Sequence, residues 1–188
     1  MVARGTSAGL KVVFGSMILK PTAIDTIIQS STVELLHSYG LSIAPRGRSE
    51  SRRHTAQHEA VGIISFNGGN VAGRLTLSIP RPVFTAPSSA HTENTTLPDW
   101  TRELTNQLMG RIKNRLMQFQ LKLRTHIPTV LSGAALMLQK DPPTEIWYSF
   151  AALRGEITVT VDASLARAVL EYSNASVVVA EGELILFD

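Results

Sequence analysis

The chain has 188 residues, 44% hydrophobic and 18% charged, with a formal net charge of +3, which is enough length and apolar content for one substantial buried core. It contains no cysteine, which excludes disulfides, thiolate nucleophiles and cysteine-held zinc or iron–sulfur clusters. No apolar run reaches the roughly 18 residues of a membrane span, and the first twenty residues lack the basic cluster, apolar run and cleavage site of a secretory leader. The expectation is a cytoplasmic protein with no membrane association.

In chain order, Gly9 to Lys20 reads as a strand. Pro21 to Tyr39 reads as a helix with Pro21 in its first turn, Gly40 at its stop, and Ile24, Ile27, Ile28, Leu35 and Leu36 on one buried face. Ala44 to Gln57 is almost devoid of apolar residues and predicts a solvated loop. Two β-like runs, Glu59 to Asn67 and Val71 to Ile79, flank the turn-forming Gly68-Gly69-Asn70 and predict a hairpin. Pro80 to Thr95 holds three prolines and many small polar residues, so it reads as a connector with little helix signal.

Leu97 to Arg124 predicts a long helix, with Thr96 as N-cap, Asp99 approximating a capping box, Pro98 tolerated in the first turn and Gly110 the only glycine. Ile127 to Leu138, Glu145 to Leu153 and Glu156 to Asp162 follow as strands, then Ser164 to Tyr172 as a short helix and Ser176 to Phe187 as an edge strand. This order predicts an α+β fold, a mostly antiparallel sheet with two long helices packed on one face, in a single domain spanning 1–188.

Charge is spread unevenly along these elements. Between Leu97 and Arg124 six cations, Arg102, Arg111, Lys113, Arg115, Lys122 and Arg124, face only Asp99 and Glu103, whereas from Lys140 onward three cations face eight acids. The long helix is thus a cationic stripe on a nearly neutral protein.

At about 100° per residue, Leu104, Leu108, Ile112 and Leu116 share one stripe of that helix, its core face. Glu103, Asn106, Gly110 and Asn114 fall on the opposite side, and Glu103 and Asn106, three apart, project together from one exposed ridge. An arbitrary pair of this kind is most often simply solvated. A mid-helix glycine costs about 1 kcal/mol relative to alanine, so Gly110 on the same ridge means either that a partner approaches the backbone closely or that a surface glycine is tolerated there.

The run Asp99-Trp-Thr-Arg-Glu103-Leu-Thr-Asn106-Gln-Leu-Met-Gly110 resembles the D/S-x-x-x-E-x-x-N helix signature of the CheC/CheX chemotaxis phosphatases, with the later glycine of CheX-like members. Three further blocks resemble the family in the same order: Gly73 to Pro80 its strand ending in an LSFP-like turn, Ile127-Pro128-Thr129-Val130 with Gly133 a strand start, and Phe150 through Gly155 to Val161 a closing hairpin. Together they cover about 23–162 and leave 163–188 as a C-terminal extension that the family pattern does not account for.

The resemblance implies a CheX-like α+β fold, a homodimer, and hydrolysis of the aspartyl phosphate of a CheY-type response regulator. Asn106 would enter the regulator's active site and orient the attacking water, and Glu103 would pair with the regulator's active-site lysine. Asp99, Arg102, Gly110 and Lys113 would contact the partner, with Arg102, Lys113 or Arg111 steering an acidic pocket. Mg²⁺ would be held by the regulator and no cofactor by this chain, which fits its widely separated histidines and the lack of an H-E-x-x-H pattern. The first helix carries no Glu-x-x-Asn, so one site per chain is expected.

A non-catalytic module of the same fold, binding a regulator or a flagellar or signalling partner, is the alternative. A nucleic-acid binder, suggested by Arg46, Arg48, Arg52 and Arg53 and the basic helix, is disfavoured because aromatic residues make up only 6% and none interleave with the cations.

Overall fold

The structure, a computed structural model, describes residues 22–49, 60–69, 71–85, 95–132 and 145–172. The strands expected at Gly9 to Lys20 and Ser176 to Phe187, the segment 50–59 and the end of the strand expected from Ile127 to Leu138 lie outside the described residues.

The first helix, α1, spans Ala23–Ser38. Thr22 rather than Pro21 starts it: the Thr22 side chain accepts from the Asp25 N–H while Asp25 accepts from the Thr22 N–H at 2.8 Å, a full capping box. Gly40, at φ 77°, ends the helical run in the left-handed conformation that glycine adopts without penalty.

The next segment corrects the sequence reading. Ile43–Ser49 is a strand, β1, paired antiparallel to β6 (Glu145–Ala152). Its five central residues are all exposed, so it has no buried face to imprint an alternating pattern, and only backbone pairing along the sheet edge reveals it.

Strands β2 (Ala60–Gly68) and β3 (Val71–Ile79) form the expected hairpin, and β7 (Gly155–Asp162) completes the centre of the sheet. The seven strands run in the order β1-β6-β7-β3-β2, with β4 (Arg124–Thr125) and β5 (Thr129–Ser132) sharing the outer edge of β2. Every pairing is antiparallel, in keeping with the α+β expectation. A single-turn helix, α2 (Arg81–Phe84), interrupts the connector where no helix was expected; Pro80 and Pro82 are tolerated in so short a helix because its first N–H groups need no intrahelical partner.

The long helix α3 spans Leu97–Leu116, about two turns shorter than the sequence suggested. A 3₁₀ turn, Met117–Phe119, and a left-handed Gln120 at φ 55° end it without glycine or proline. The turn redirects the chain so that Leu123 is buried and Arg124–Thr125 reaches the β2 edge. A last helix covers 163–172 and packs Leu165 and Val169 into the core.

The core lies between the sheet and the pair α1 and α3. Leu104, Leu108, Ile112 and Leu116 of α3 are fully buried, as are Ile28, Leu35 and Leu36 of α1 and Ile64, Leu75, Leu77, Val159 and Phe150 of the sheet. Helix α3 comes close against the sheet at Gly62, where an added Cβ would lie 2.0 Å from the Thr105 Oγ1 and 3.2 Å from the Thr101 Cγ2. The absent side chain lets the two elements touch.

Candidate functional site

Three contacts fix the N-terminal half of α3, the part that carries the Glu-x-x-Asn ridge. Thr96 caps the helix, its hydroxyl accepting from the Asp99 N–H at 3.3 Å. Trp100, only 2% exposed, packs between Tyr39 at the end of α1 and Phe84 of α2, with ring centroids 6.1 Å and 5.4 Å away. Thr101 and Thr105 face Gly62, and each returns its hydroxyl to the carbonyl four residues back in its own helix, leaving no polar atom stranded in that contact.

On the opposite face Arg102, Glu103 and Asn106 are all exposed and form one wall of a groove of about 670 Å³. Thr125, His126, Ile127 and Pro128, the segment linking β4 to β5, form the other wall. The groove thus lies between the helix and the margin of the sheet, and the Asn106 carboxamide is presented in it without a hydrogen-bond partner among the described residues. Such a group has a carbonyl oxygen to accept from a water and an NH₂ to donate to an anion.

Glu103 is oriented by a neighbour that the sequence reading passed over. The Gln107 Nε2 donates to the Glu103 Oε1 at 2.5 Å and to the Tyr39 Oη at 2.9 Å, so a relay from the end of α1 holds the carboxylate on the ridge. The i,i+4 spacing of Glu103 and Gln107 is the helical-neighbour signal that could have found it. The linking segment was missed for another reason: a helix running to Arg124 left no chain to bring Thr125–Pro128 back beside Asn106.

The other residues singled out in the sequence are spread along the same ridge. Asp99 is tied at the helix start, accepting from the Thr96 hydroxyl at 2.5 Å and from Arg102 at 2.9 Å, and these two donors hold its carboxyl below the usual carboxylate range. Gly110 has open space around it, since an added Cβ would meet nothing of this chain within 4 Å; its lack of a side chain serves no packing inside the fold. Lys113, half-buried, lies about two turns beyond Asn106. Arg111, also expected to steer a partner, pairs with Glu34 of α1 at 3.8 Å, and Arg115 pairs with the same carboxylate at 2.5 Å, so two of the six cations of the stripe also link the two helices.

Away from the groove, Asp25 forms a buried polar centre. Burial pushes its carboxyl up, but hydrogen bonds from Thr22 and Tyr148, with the Arg48 guanidinium 3.4 Å away, outweigh burial and leave it below the ordinary value. Tyr148, buried against that carboxylate, is pushed far up and stays protonated. Among the described residues no group of three or more histidine, aspartate or glutamate side chains is placed to hold a metal ion, and the groove's only acid, Glu103, is a single ligand. No helix among them is long and apolar enough to cross a membrane.

The sequence model of one protein family, described as Chemotaxis phosphatase CheX, matches residues 60–151, a span that includes both walls of the groove. No curated protein sequence matches the chain. Among solved structures it is similar to the chemotaxis protein CheX of Desulfovibrio desulfuricans (TM-score 0.63, 16% identity, covering 74% of this chain and 98% of that one) and to CheX of Vibrio vulnificus (TM-score 0.61, 16% identity, 75% and 99%). It is also similar to the CheX–CheY–BeF₃–Mg²⁺ complex from Borrelia burgdorferi (TM-score 0.57, 12% identity, 76% and 98%). At these identities the likeness is one of fold.

Proposed function

We propose that the chain is a CheX-like protein that dephosphorylates a CheY-type response regulator, with Asn106 positioning the attacking water and Glu103 docking on the regulator's active-site lysine. The observation that carries the reading is the groove: the Glu103–Asn106 ridge stands exposed on a helix braced from three sides and faces a second wall contributed by the sheet margin.

The chemistry asks little of this chain. An aspartyl phosphate is an acyl phosphate, already activated, so its hydrolysis needs an in-line water and charge compensation more than a strong base. The water oxygen bonds to phosphorus as the bond between phosphorus and the aspartyl oxygen breaks. The aspartate leaves as a carboxylate, and the water's proton passes to the phosphate product or to solvent. Asn106 accepts a hydrogen bond from the water and takes no proton, as suits a carboxamide. Glu103, held by Gln107, gives the regulator's lysine a fixed counter-charge and sets the register of insertion.

Among the described residues Glu103 is the one acid lining the groove, a donor set that does not fit a resident metal, so we assign Mg²⁺ to the regulator, with Asn106 and Glu103 acting on the regulator's metal-bound phosphate from outside the coordination sphere. The homodimer implied by the family resemblance belongs to the same proposal, and sedimentation of the purified protein tests it. The function itself is tested by following loss of phosphate from a Mg²⁺-bound, phosphorylated CheY-type regulator. Faster loss in the presence of the protein supports a phosphatase, whereas binding that leaves the phosphate's lifetime unchanged supports the non-catalytic module.

A further inference from the structure

The segment between β4 and β5 contains an irregularity whose product is an apolar side chain in the open. Thr125 pairs with Phe66 and Thr129 with Ile63. Between those registered pairs β2 has two residues, Ser65 and Ile64, and the facing chain has three, His126, Ile127 and Pro128. One extra residue against two is a β-bulge, a device that re-aims a side chain at the sheet margin. The bulge is anchored on both sides by strand pairing and within by the His126 N–H, which donates to the Ser65 carbonyl at 3.0 Å. Pro128, which has no N–H to offer a ladder, stiffens its exit. In regular pairing, position 127 would stand opposite the fully buried Ile64; instead Ile127 is 87% exposed, on the wall of the groove that faces Asn106.

We propose that Ile127 is an apolar anchor for the response regulator and that the 126–128 bulge exists to present it, an inference that rests on the phosphatase reading above and names the second half of its docking surface. A protein that brings a phosphorylated side chain to Asn106 must descend between the two walls and cover Ile127. Its own surface there must pair a polar, phosphate-bearing pocket, matched to Arg102, Glu103 and Asn106, with an apolar depression beside it. The polar wall supplies chemistry and register, while Ile127 supplies affinity through burial, as a rigid apolar side chain next to a functional centre commonly does. A second copy of this chain is the competing occupant, but a copy seated over Ile127 would also close the groove that holds Asn106.

The test compares wild type, Ile127→Ala, Ile127→Leu and Asn106→Ala. The probe is a CheY-type regulator loaded with Mg²⁺ and phosphorylated by acetyl phosphate, and the readouts are Kd, KM and kcat, with sedimentation for self-association. Ile127→Ala is expected to raise Kd and KM about tenfold with kcat unchanged, and Ile127→Leu to restore affinity to within about threefold of wild type. Asn106→Ala should show the converse, lost turnover with retained affinity. The proposal is overturned if Ile127→Ala leaves Kd within about twofold of wild type, if it lowers kcat instead, or if it changes self-association and not regulator affinity. Wild-type binding without turnover overturns the phosphatase reading alone, since the Ile127 variants are then judged on Kd; the absence of any binding overturns both.

Discussion

Gln107 determines how Glu103 is presented. Its amide donates to both the Glu103 carboxylate and the Tyr39 hydroxyl, so a side chain with no part in the proposed chemistry holds the one proposed to dock on the regulator. Replacing it by leucine keeps the volume and removes both donors. Gln107→Leu is expected to weaken regulator binding by about 1 kcal/mol, the worth of a typical hydrogen bond, and Tyr39→Phe, which removes only the outer bond, by less. Titration of the phosphorylated regulator measures both, and wild-type affinity in Gln107→Leu would show that Glu103 needs no support. The pair was half legible, because Glu103 and Asn106 follow from the helical wheel while Gln107 is visible only once its partner on α1 is known.

Asp25 sets a second expectation at this scale. Its folded value lies below the ordinary 3.8, so as pH falls the unfolded chain takes up the proton first. The stabilisation is complete above about pH 5 and is lost as pH drops through about 4 and below. Tyr148→Phe removes one donor from a buried carboxylate and is expected to cost about 1–3 kcal/mol at neutral pH. It should also flatten the acid limb, since the folded carboxyl moves back toward its ordinary value. Urea unfolding from pH 7 to pH 3 reads both effects; equal acid slopes for the two proteins would mean that Tyr148 does not hold Asp25 down.

Among the elements, the position of α3 depends on the missing side chain at Gly62. A methyl there would meet the Thr105 Oγ1 at 2.0 Å, forcing the helix away from β2 and carrying the ridge with it. Gly62→Ala is expected to destabilise by about 1–3 kcal/mol, and Thr105→Ala added to it should recover part of that loss, because the nearest obstructing atom is gone. Denaturant unfolding of the two single variants and the double variant gives the coupling; strictly additive losses would contradict the contact.

The interior of α3 was readable because its leucines keep the helical period, but its end was not. Gln120 makes the left-handed turn usually left to glycine, and nothing local to the sequence marks it. Strand β1 escaped for the opposite reason, having no buried face to leave a period-two trace. The linking bulge escaped because it depends on register against β2, a long-range fact.

Across the whole molecule, charge means less than the sequence suggested. Part of the cationic stripe of α3 is paired within the protein, with Arg111 and Arg115 against Glu34 of α1 and Arg102 against Asp99 of its own helix. What the fold would offer the proposed regulator is a shape: a polar helical ridge and an apolar bulge facing each other across one groove, with the ridge braced from the end of α1. The ridge could be found in twelve consecutive residues, whereas its opposing wall required the tertiary structure.

The central claim is that this groove places water on a regulator's aspartyl phosphate through Asn106. Single-turnover decay of a phosphorylated CheY-type regulator, saturated with wild-type protein or with Asn106→Ala, tests it most directly. The account predicts that wild type accelerates the decay and that the variant, binding with similar affinity, loses about 10²- to 10³-fold of that acceleration. Equal decay rates in the two saturated complexes would contradict it.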